Sequence, residues 1–265
     1  MSFKLVACKQ VFVDFVSALN VLVEEAAFRI GYEGLTATIM DVSRTAILYI
    51  YHPKSLFTEY RFTQPQKIAL NTVLLAEYLS RTTDEETLTL SRTEGPVQTV
   101  PLNLTVYNPN TKLNREWTLP QMTAQTEDHQ THEHKYTTQA IFSAPQLAQR
   151  CQDLALVSDH ITLTAKNEVL ILRTKSEIAD GIVTLPTKST DALLYLTISQ
   201  PAEATYSAKY LSDIAKTAKR NNINALYATD TPIKLEIELP CGKTIYWLAP
   251  RIIEEEPTET AACPP

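Results

Sequence analysis

Glycine is scarce in this sequence, five residues in 265, and none of them builds a G-x-G-x-x-G or Walker-type phosphate loop. The common dinucleotide- and nucleotide-binding motifs are thereby excluded. Cysteine is sparse as well: Cys8, Cys151, Cys241 and Cys263 form no C-x-x-C pair, so neither a disulfide framework nor a thiolate metal site fits them. They read as reduced thiols, with Cys8 and Cys151 as core packing. No apolar run approaches the roughly 20 residues that span a bilayer. Met1-Ser2-Phe3-Lys4 leads straight into a strand-like segment instead of a signal peptide. These absences point to an intracellular globular protein. Catalytic groupings are missing too, with no nucleophile beside a base and no evident carboxylate pair.

A positive excess is also lacking, since the formal net charge is -6, which taken whole argues against a nucleic-acid partner. Its distribution reverses that argument. Residues 1–118 carry 11 Lys+Arg against 12 Asp+Glu and residues 139–253 carry 12 against 11, while residues 119–138 carry 1 against 3 and the tail from Glu254 carries 0 against 4. The acidity sits in a linker and a tail. Two nearly neutral domains remain free to gather their cations on one face.

What is present is a 44% hydrophobic content, ample for a core, arranged in two alternating periods. Lys4 to Cys8 reads as a strand. Val11, Phe12, Phe15, Val16, Leu19, Leu22 and Val23, spaced by three and four, predict an amphipathic helix reaching to about Ala26. Phe28 and Ile30, then Leu35, Ala37 and Ile39 across the Glu33-Gly34 turn, predict two strands. Further strands are expected at Tyr60–Phe62, Lys67–Asn71, Thr87–Ser91, Val100–Tyr107 and Arg115–Leu119, with a second helix carrying Leu74, Leu75, Tyr78 and Leu79. Residues 119–138 then lose all periodicity and read as an exposed linker.

From Ile141 the pattern restarts and the second half repeats the first. Gln64-Pro65 recurs as Gln200-Pro201, an offset of 136, which carries Leu74, Leu75, Tyr78 and Leu79 onto Tyr210, Leu211, Ile214 and Ala215. The same offset carries Val11, Phe15, Ala18 and Leu19 onto Leu147, Cys151, Leu154 and Ala155. The expectation is an α+β chain of two similar domains, 1–118 and 139–253, joined by a linker 119–138 and followed by an acidic tail 254–265. In each domain helices pack on one side of antiparallel sheets, as two βαβββ-like units.

The stretch Leu22 to Ile50, with EA-F-I--EG and MD-SR before an apolar strand, resembles the first domain of the sliding clamps of the proliferating cell nuclear antigen family. The likeness continues through LVSD-I----KNEVLIL in the second half, YLSDI at Tyr210–Ile214 and YWLAPRI at Tyr246–Ile252. It implies a DNA-clamp fold closing as a pseudo-six-fold trimeric ring, no catalytic activity and no cofactor or metal. Its implied partners are double-stranded DNA, a clamp loader, and DNA polymerase, flap endonuclease and DNA ligase through peptide motifs, together with copies of itself or related subunits. The implied setting is an archaeal nucleoid or a eukaryotic nucleus.

By the same resemblance, DNA phosphates would meet Lys9, Arg81, Arg150, Lys209, Lys216, Lys219 and Arg220. Lysines usual on the first two helices are replaced here by Val13, Asp14, Asn20, Glu77 and Ser80, so the wall should be basic mainly from the second domain. A peptide pocket would comprise Met40, Arg44, Thr45, Ile47, Leu119, Met122, Pro232, Trp247, Ala249 and Pro250. The subunit interface would use the edges Asn114–Leu119 and Glu177–Leu185, with Asn114, Arg115, Trp117, Glu177, Ile178 and Ile182.

Two alternatives stay open: a distinct subunit of a heterotrimeric ring or diverged paralogue, and a metal-binding or hydrolytic enzyme using His129, His132 and His134 or Cys151.

Overall fold

The computed structural model describes residues 2–95, 100–122, 134–187, 191–219 and 221–251. Arg220, Lys188, His129, His132, Cys263 and the tail from 252 lie outside the described residues. The first half runs β1 (Phe3–Cys8), α1 (Lys9–Leu19), β2 (Glu25–Ile30), β3 (Gly34–Met40), β4 (Ala46–Pro53), β5 (Glu59–Phe62), β6 (Gln66–Asn71), α2 (Thr72–Ser80), β7 (Thr87–Arg92), β8 (Leu102–Tyr107) and β9 (Asn114–Leu119). The second runs β10 (Thr138–Ser143), α3 (Ala144–Ala155), β11 (His160–Lys166), β12 (Val169–Lys175), β13 (Asp180–Pro186), β14 (Leu193–Ile198), β15 (Ala202–Ser207), α4 (Ala208–Thr217), β16 (Asn222–Tyr227), β17 (Ile233–Leu239) and β18 (Gly242–Leu248). Each half is thus the same succession of strands and helices, two βαβββ units with one added strand between them.

Three expectations need correction. Helix α1 stops at Leu19, because the amides of Leu22 and Val23 both turn back to the Leu19 carbonyl, and Ala26 belongs to β2. The first helices repeat at an offset of 135, not 136, since α1 begins at Lys9 and α3 at Ala144. Leu19 therefore corresponds to buried Leu154, while Ala155 faces solvent. Cys8 is exposed and not core, lying at the last position of β1, where the strand gives way to α1.

The strands form three antiparallel sheets: β5-β1-β7-β8-β9, β13-β12-β11-β15, and a nine-stranded sheet β14-β10-β16-β17-β18-β4-β3-β2-β6 that crosses both halves. The halves join where β18 pairs with β4, Tyr246 opposite Leu48 and Trp247 opposite Ile47. On one side α1 packs on α2, α3 on α4, and α1 on α4, giving a continuous helical layer in the order α2-α1-α4-α3. Strand alternation sends Leu48, Ile50, Tyr246 and Leu248 beneath that layer, fully buried. Their neighbours point to the opposite face.

Glycine is used where nothing else fits. Gly242 opens β18 at φ +133°, and a Cβ there would lie 2.2 Å from the Tyr51 carbonyl oxygen; Gly34 opens β3 at φ +152°, with a Cβ 2.1 Å from the His52 carbonyl oxygen. The two glycines let neighbouring strands close on both sides of β4. Gly242→Ala is accordingly expected to lower stability by about 1–3 kcal/mol, read as a lower urea midpoint. A variant as stable as the parent would show that the β18–β4 junction relaxes freely.

Candidate nucleic-acid and partner interfaces

The helical layer brings together Lys9, Arg81, Arg150, Lys209, Lys216 and Lys219, but it does not leave them equally free. The Lys9 ammonium donates to the Thr82 carbonyl at 2.5 Å. Arg150 pairs with Asp153 at 3.3 Å, Lys216 with Asp213 at 2.8 Å, and Lys219 with Asp14 at 2.8 Å. The last pair crosses the two halves, and its Asp14 side chain is only 3% exposed, so Lys219 acts as a brace between halves before it can serve a ligand. Arg81 and Lys209 are exposed and make no ion pair among the described residues. Lys209 lines a cleft of about 410 Å³ with Ser17, Asn20, Val21 and Asp213, where α1 meets α4.

On the opposite face, strand register assembles a second surface. Met40 is opposite Ile47, Ile47 opposite Trp247, and Trp247 opposite Lys234. Directly paired residues point the same way, so these four form one row across β3, β4, β18 and β17. The Lys234 ammonium sits 5.9 Å from the centre of the Trp247 ring, a cation–π contact. All four are only partly buried. Thr45 ties the exit of β18 into the row, its carbonyl accepting from the Ala249 amide at 2.8 Å. Pro232 and Pro250, partly buried, flank β17 and β18.

The β3–β4 turn that carries Arg44 and Thr45 is held by Asp41. Its carboxylate accepts from the Thr45 and Ala46 amides at 2.8 and 2.7 Å and from the Tyr210 hydroxyl at 2.8 Å, and from the Ser43 hydroxyl. Burial alone would raise the Asp41 carboxyl, but these bonds from Ser43, Ala46, Tyr210 and Thr45 together hold it below the ordinary carboxylate range. Tyr210 is on α4, so the turn of one half is set by a helix of the other. The contacts that Asp14, Asp41, Tyr210 and Lys234 make could not be read from the pattern, because charge pairs and turn anchors show no period.

Two residues expected in the pocket are not brought there. Leu119 is 3% exposed, opposite Leu102 in the core of the first sheet. Met122 lies beside β6, its amide bonded to the Ala69 carbonyl at 3.0 Å, two strands removed from β3. The adjoining Gln121 is anchored by the Arg92 guanidinium at 2.9 Å.

Strands β9 and β13 each pair on one side only. Arg115 and Trp117 turn inward from β9: Arg115 chelates Glu86 at 2.6 and 2.7 Å, and Trp117 stacks on Tyr78 of α2 with ring centres 5.1 Å apart. Glu177 and Ile178 precede β13 in a turn closed by Ser176 and Ala179. They are therefore not strand residues; Ile182 is, and it is 59% exposed.

Cys151 is fully buried and its thiol is pushed up to about 12 by burial, which removes it as a nucleophile at neutral pH. No group of three potential metal ligands occurs among the described residues.

Duplicated halves, one helical layer and strand edges left open at both ends define a clamp-type fold. The chain belongs to the proliferating cell nuclear antigen family: the family's N-terminal domain model matches residues 4–129 and its C-terminal domain model residues 130–252. It is similar to DNA polymerase sliding clamp 1 of Pyrobaculum aerophilum, 30% identical over 244 residues, 91% of this chain and 94% of that protein. It is similar also to the DNA polymerase sliding clamp of Pyrococcus furiosus, 25% identical over 245 residues, 92% and 95% of the two. The crystal structure of PCNA from Thermococcus kodakaraensis shares the fold at a TM-score of 0.84 and 23% identity, covering 94% of this chain and 100% of that one.

Proposed function

We propose that this chain is a DNA polymerase sliding clamp, a non-catalytic processivity factor that closes head to tail into a trimeric ring around duplex DNA. Its two clamp domains, 1–118 and 139–253, are joined by the segment 119–138 and followed by the acidic tail 254–265. The helical layer faces the DNA. The outer row of Met40, Ile47, Trp247 and Lys234, with Arg44, Thr45, Pro232, Ala249 and Pro250 around it, takes short peptide motifs of DNA polymerase, clamp loader, flap endonuclease and DNA ligase. The place of work is the archaeal nucleoid.

The observation that carries this reading is the duplication itself. Both halves contribute two helices to one layer, and β9 and β13 are among the edge strands left unpaired on their outer sides. A chain so built has one joint already made and the means for another. A closed ring holds DNA by topology, so its wall needs only weak phosphate contact.

On this wall the contact falls mainly to Arg81 and Lys209, the exposed cations whose side chains are tied neither to an acid nor to a backbone carbonyl among the described residues. Replacing both by Ala should make a clamp loaded on circular DNA escape less steeply with salt, the slope of log affinity against log salt falling by about 0.9 for each phosphate contact removed. Lys54→Ala, on an exposed turn outside the layer, should leave it unchanged. Equal effects from the two sets would mean a diffuse field and would end the assignment of the helical face to DNA.

A further inference from the structure

The second half carries a cavity that neither the helical layer nor the outer row uses. It measures about 860 Å³ and lies over the sheet β13-β12-β11-β15. Strand alternation builds its floor: Ile161, Leu163 and Leu172 turn toward the helices and are buried, while Thr162, Thr164, Arg173 and Lys175 turn the other way. Register sets Thr205, Thr162, Arg173 and Ile182 in one row across the four strands.

The floor's hydroxyls are already satisfied, Thr162 with Thr205 at 2.8 Å and Thr164 with the Glu203 carboxylate at 2.7 Å. Its cations are not. Lys166 and Lys175 are exposed and make no ion pair among the described residues. Arg173 meets only Asp180, at 3.7 Å with both side chains about half exposed, a pair of little worth. The charges are also segregated, with Lys166, Arg173 and Lys175 on β11 and β12 and the acids Glu203 and Asp230 on β15 and the loop beside it.

The chain itself enters this cavity. After β18 the Arg251 amide donates to the Thr205 carbonyl at 2.7 Å, at the end of the row. The Arg251 side chain meets His160 and stands 3.8 Å from Asp159, which His160 also contacts. Ile252 and Ile253 follow, then Glu254, Glu255, Glu256 and Glu259. Thr205 and Arg173 are two strands apart, about 10 Å at the usual spacing, and three extended residues at about 3.3 Å each cover that distance. Glu254 is three residues beyond Arg251. Carboxylates tethered on the same chain act at an effective concentration near millimolar, so pairing too weak for a free ligand suffices.

We propose that this cavity docks the acidic segment of its own chain, the carboxylates of Glu254, Glu255, Glu256 and Glu259 pairing with Lys166, Arg173 and Lys175. The docked segment draws four negative charges away from Pro250 and the Trp247 row, which stays open to partner peptides.

Carbodiimide coupling of the full chain, which joins a carboxylate to a lysine only where the two are in contact, should link Glu254, Glu255 or Glu256 to Lys166 or Lys175, as read by peptide mass spectrometry. The yield should fall at least about tenfold at about 1 M salt, where screening is nearly complete. Arg173→Glu, which keeps both lysines but reverses the charge between them, should reduce it similarly. Mixed isotope-labelled and unlabelled chains should show the links confined to one copy.

In a full chain with all four glutamates changed to Gln, acetylation of Lys166 and Lys175 should be faster than in the parent, while Lys54 is unchanged. Equal acetylation in the two chains, or links to Lys54 and Lys243 as abundant as those to Lys166 and Lys175, would overturn the docking. Links between copies would overturn the assignment to the same chain. Protection of the two lysines by an added glutamate-rich peptide, but not by the chain's own segment, would give the cavity to a partner instead. None of these outcomes bears on the ring or on the Trp247 row, so the clamp reading stands or falls separately.

Discussion

Acidification from pH 7 to pH 4 is expected to cost the folded chain about 3 kcal/mol through His52 alone. His52 is the penultimate residue of β4, fully buried, with its ring edge-on to Phe15 at 5.2 Å. Neither ring nitrogen finds a hydrogen-bond partner among the described residues. Burial lowers its pKa from 6.5 to about 4, against the smaller opposing pull of Asp14. The folded protein therefore keeps a neutral ring where the unfolded chain takes a proton. Between pH 6.5 and pH 4 the unfolded state binds more protons, so stability is complete above 6.5 and falls as pH drops through that window. A drop from 6.5 to about 4, at roughly 1.4 kcal/mol for each tenfold change in proton affinity, corresponds to the stated loss. Urea midpoints at pH 7, 5.5 and 4.5 should show it. In His52→Leu, which removes the titrating group at similar volume, that part of the pH dependence should vanish. An unchanged slope in the variant would mean that the imidazole finds a proton acceptor in the folded state.

Loss of the outer row should be the largest effect on partner binding. Ile47 and Trp247 are adjacent members of that row, partly buried on a sheet whose other face is core. A partner's aromatic or aliphatic anchor placed there would be desolvated on both sides. Truncating such an anchor contact costs about 1–3 kcal/mol, so Ile47→Ala or Trp247→Ala should weaken a motif peptide by roughly 5-fold to 140-fold, at about 1.4 kcal/mol per decade. The inward neighbours Leu48 and Tyr246 are untouched, so assembly mass should not change. Lys234→Ala should give a smaller loss, because it only steadies the indole. A peptide that binds the Ile47→Ala, Trp247→Ala double variant with unchanged affinity by titration calorimetry would place recruitment elsewhere on the molecule.

Much of the fold was legible because alternation and helical spacing survive any tertiary context. The strand Leu35, Ala37, Ile39 and the helix around Phe12, Phe15 and Leu19 lie where the pattern put them, and the clamp family followed from their order. The end of α1 was not legible. Leu22 and Val23 continue its apolar spacing yet belong to a turn, because a carbonyl at Leu19 satisfies both amides and the chain must reverse into β2. Leu119 and Met122 were similarly placed by sequence proximity to the linker, whereas strand register sends one into the core and the other to a distant edge.

The duplication, the α+β class, the absence of common catalytic motifs and the family are all written in the order of residues, since each rests on periodicity or on motif order along the chain. Which cations are free depends on the folded chain, because Lys219 and Asp14 are 205 residues apart and no local pattern couples them. Strand register likewise brings Met40, Ile47, Trp247 and Lys234 into one row. Those relations arise from register between strands, where a shift of one residue would turn every side chain to the other face.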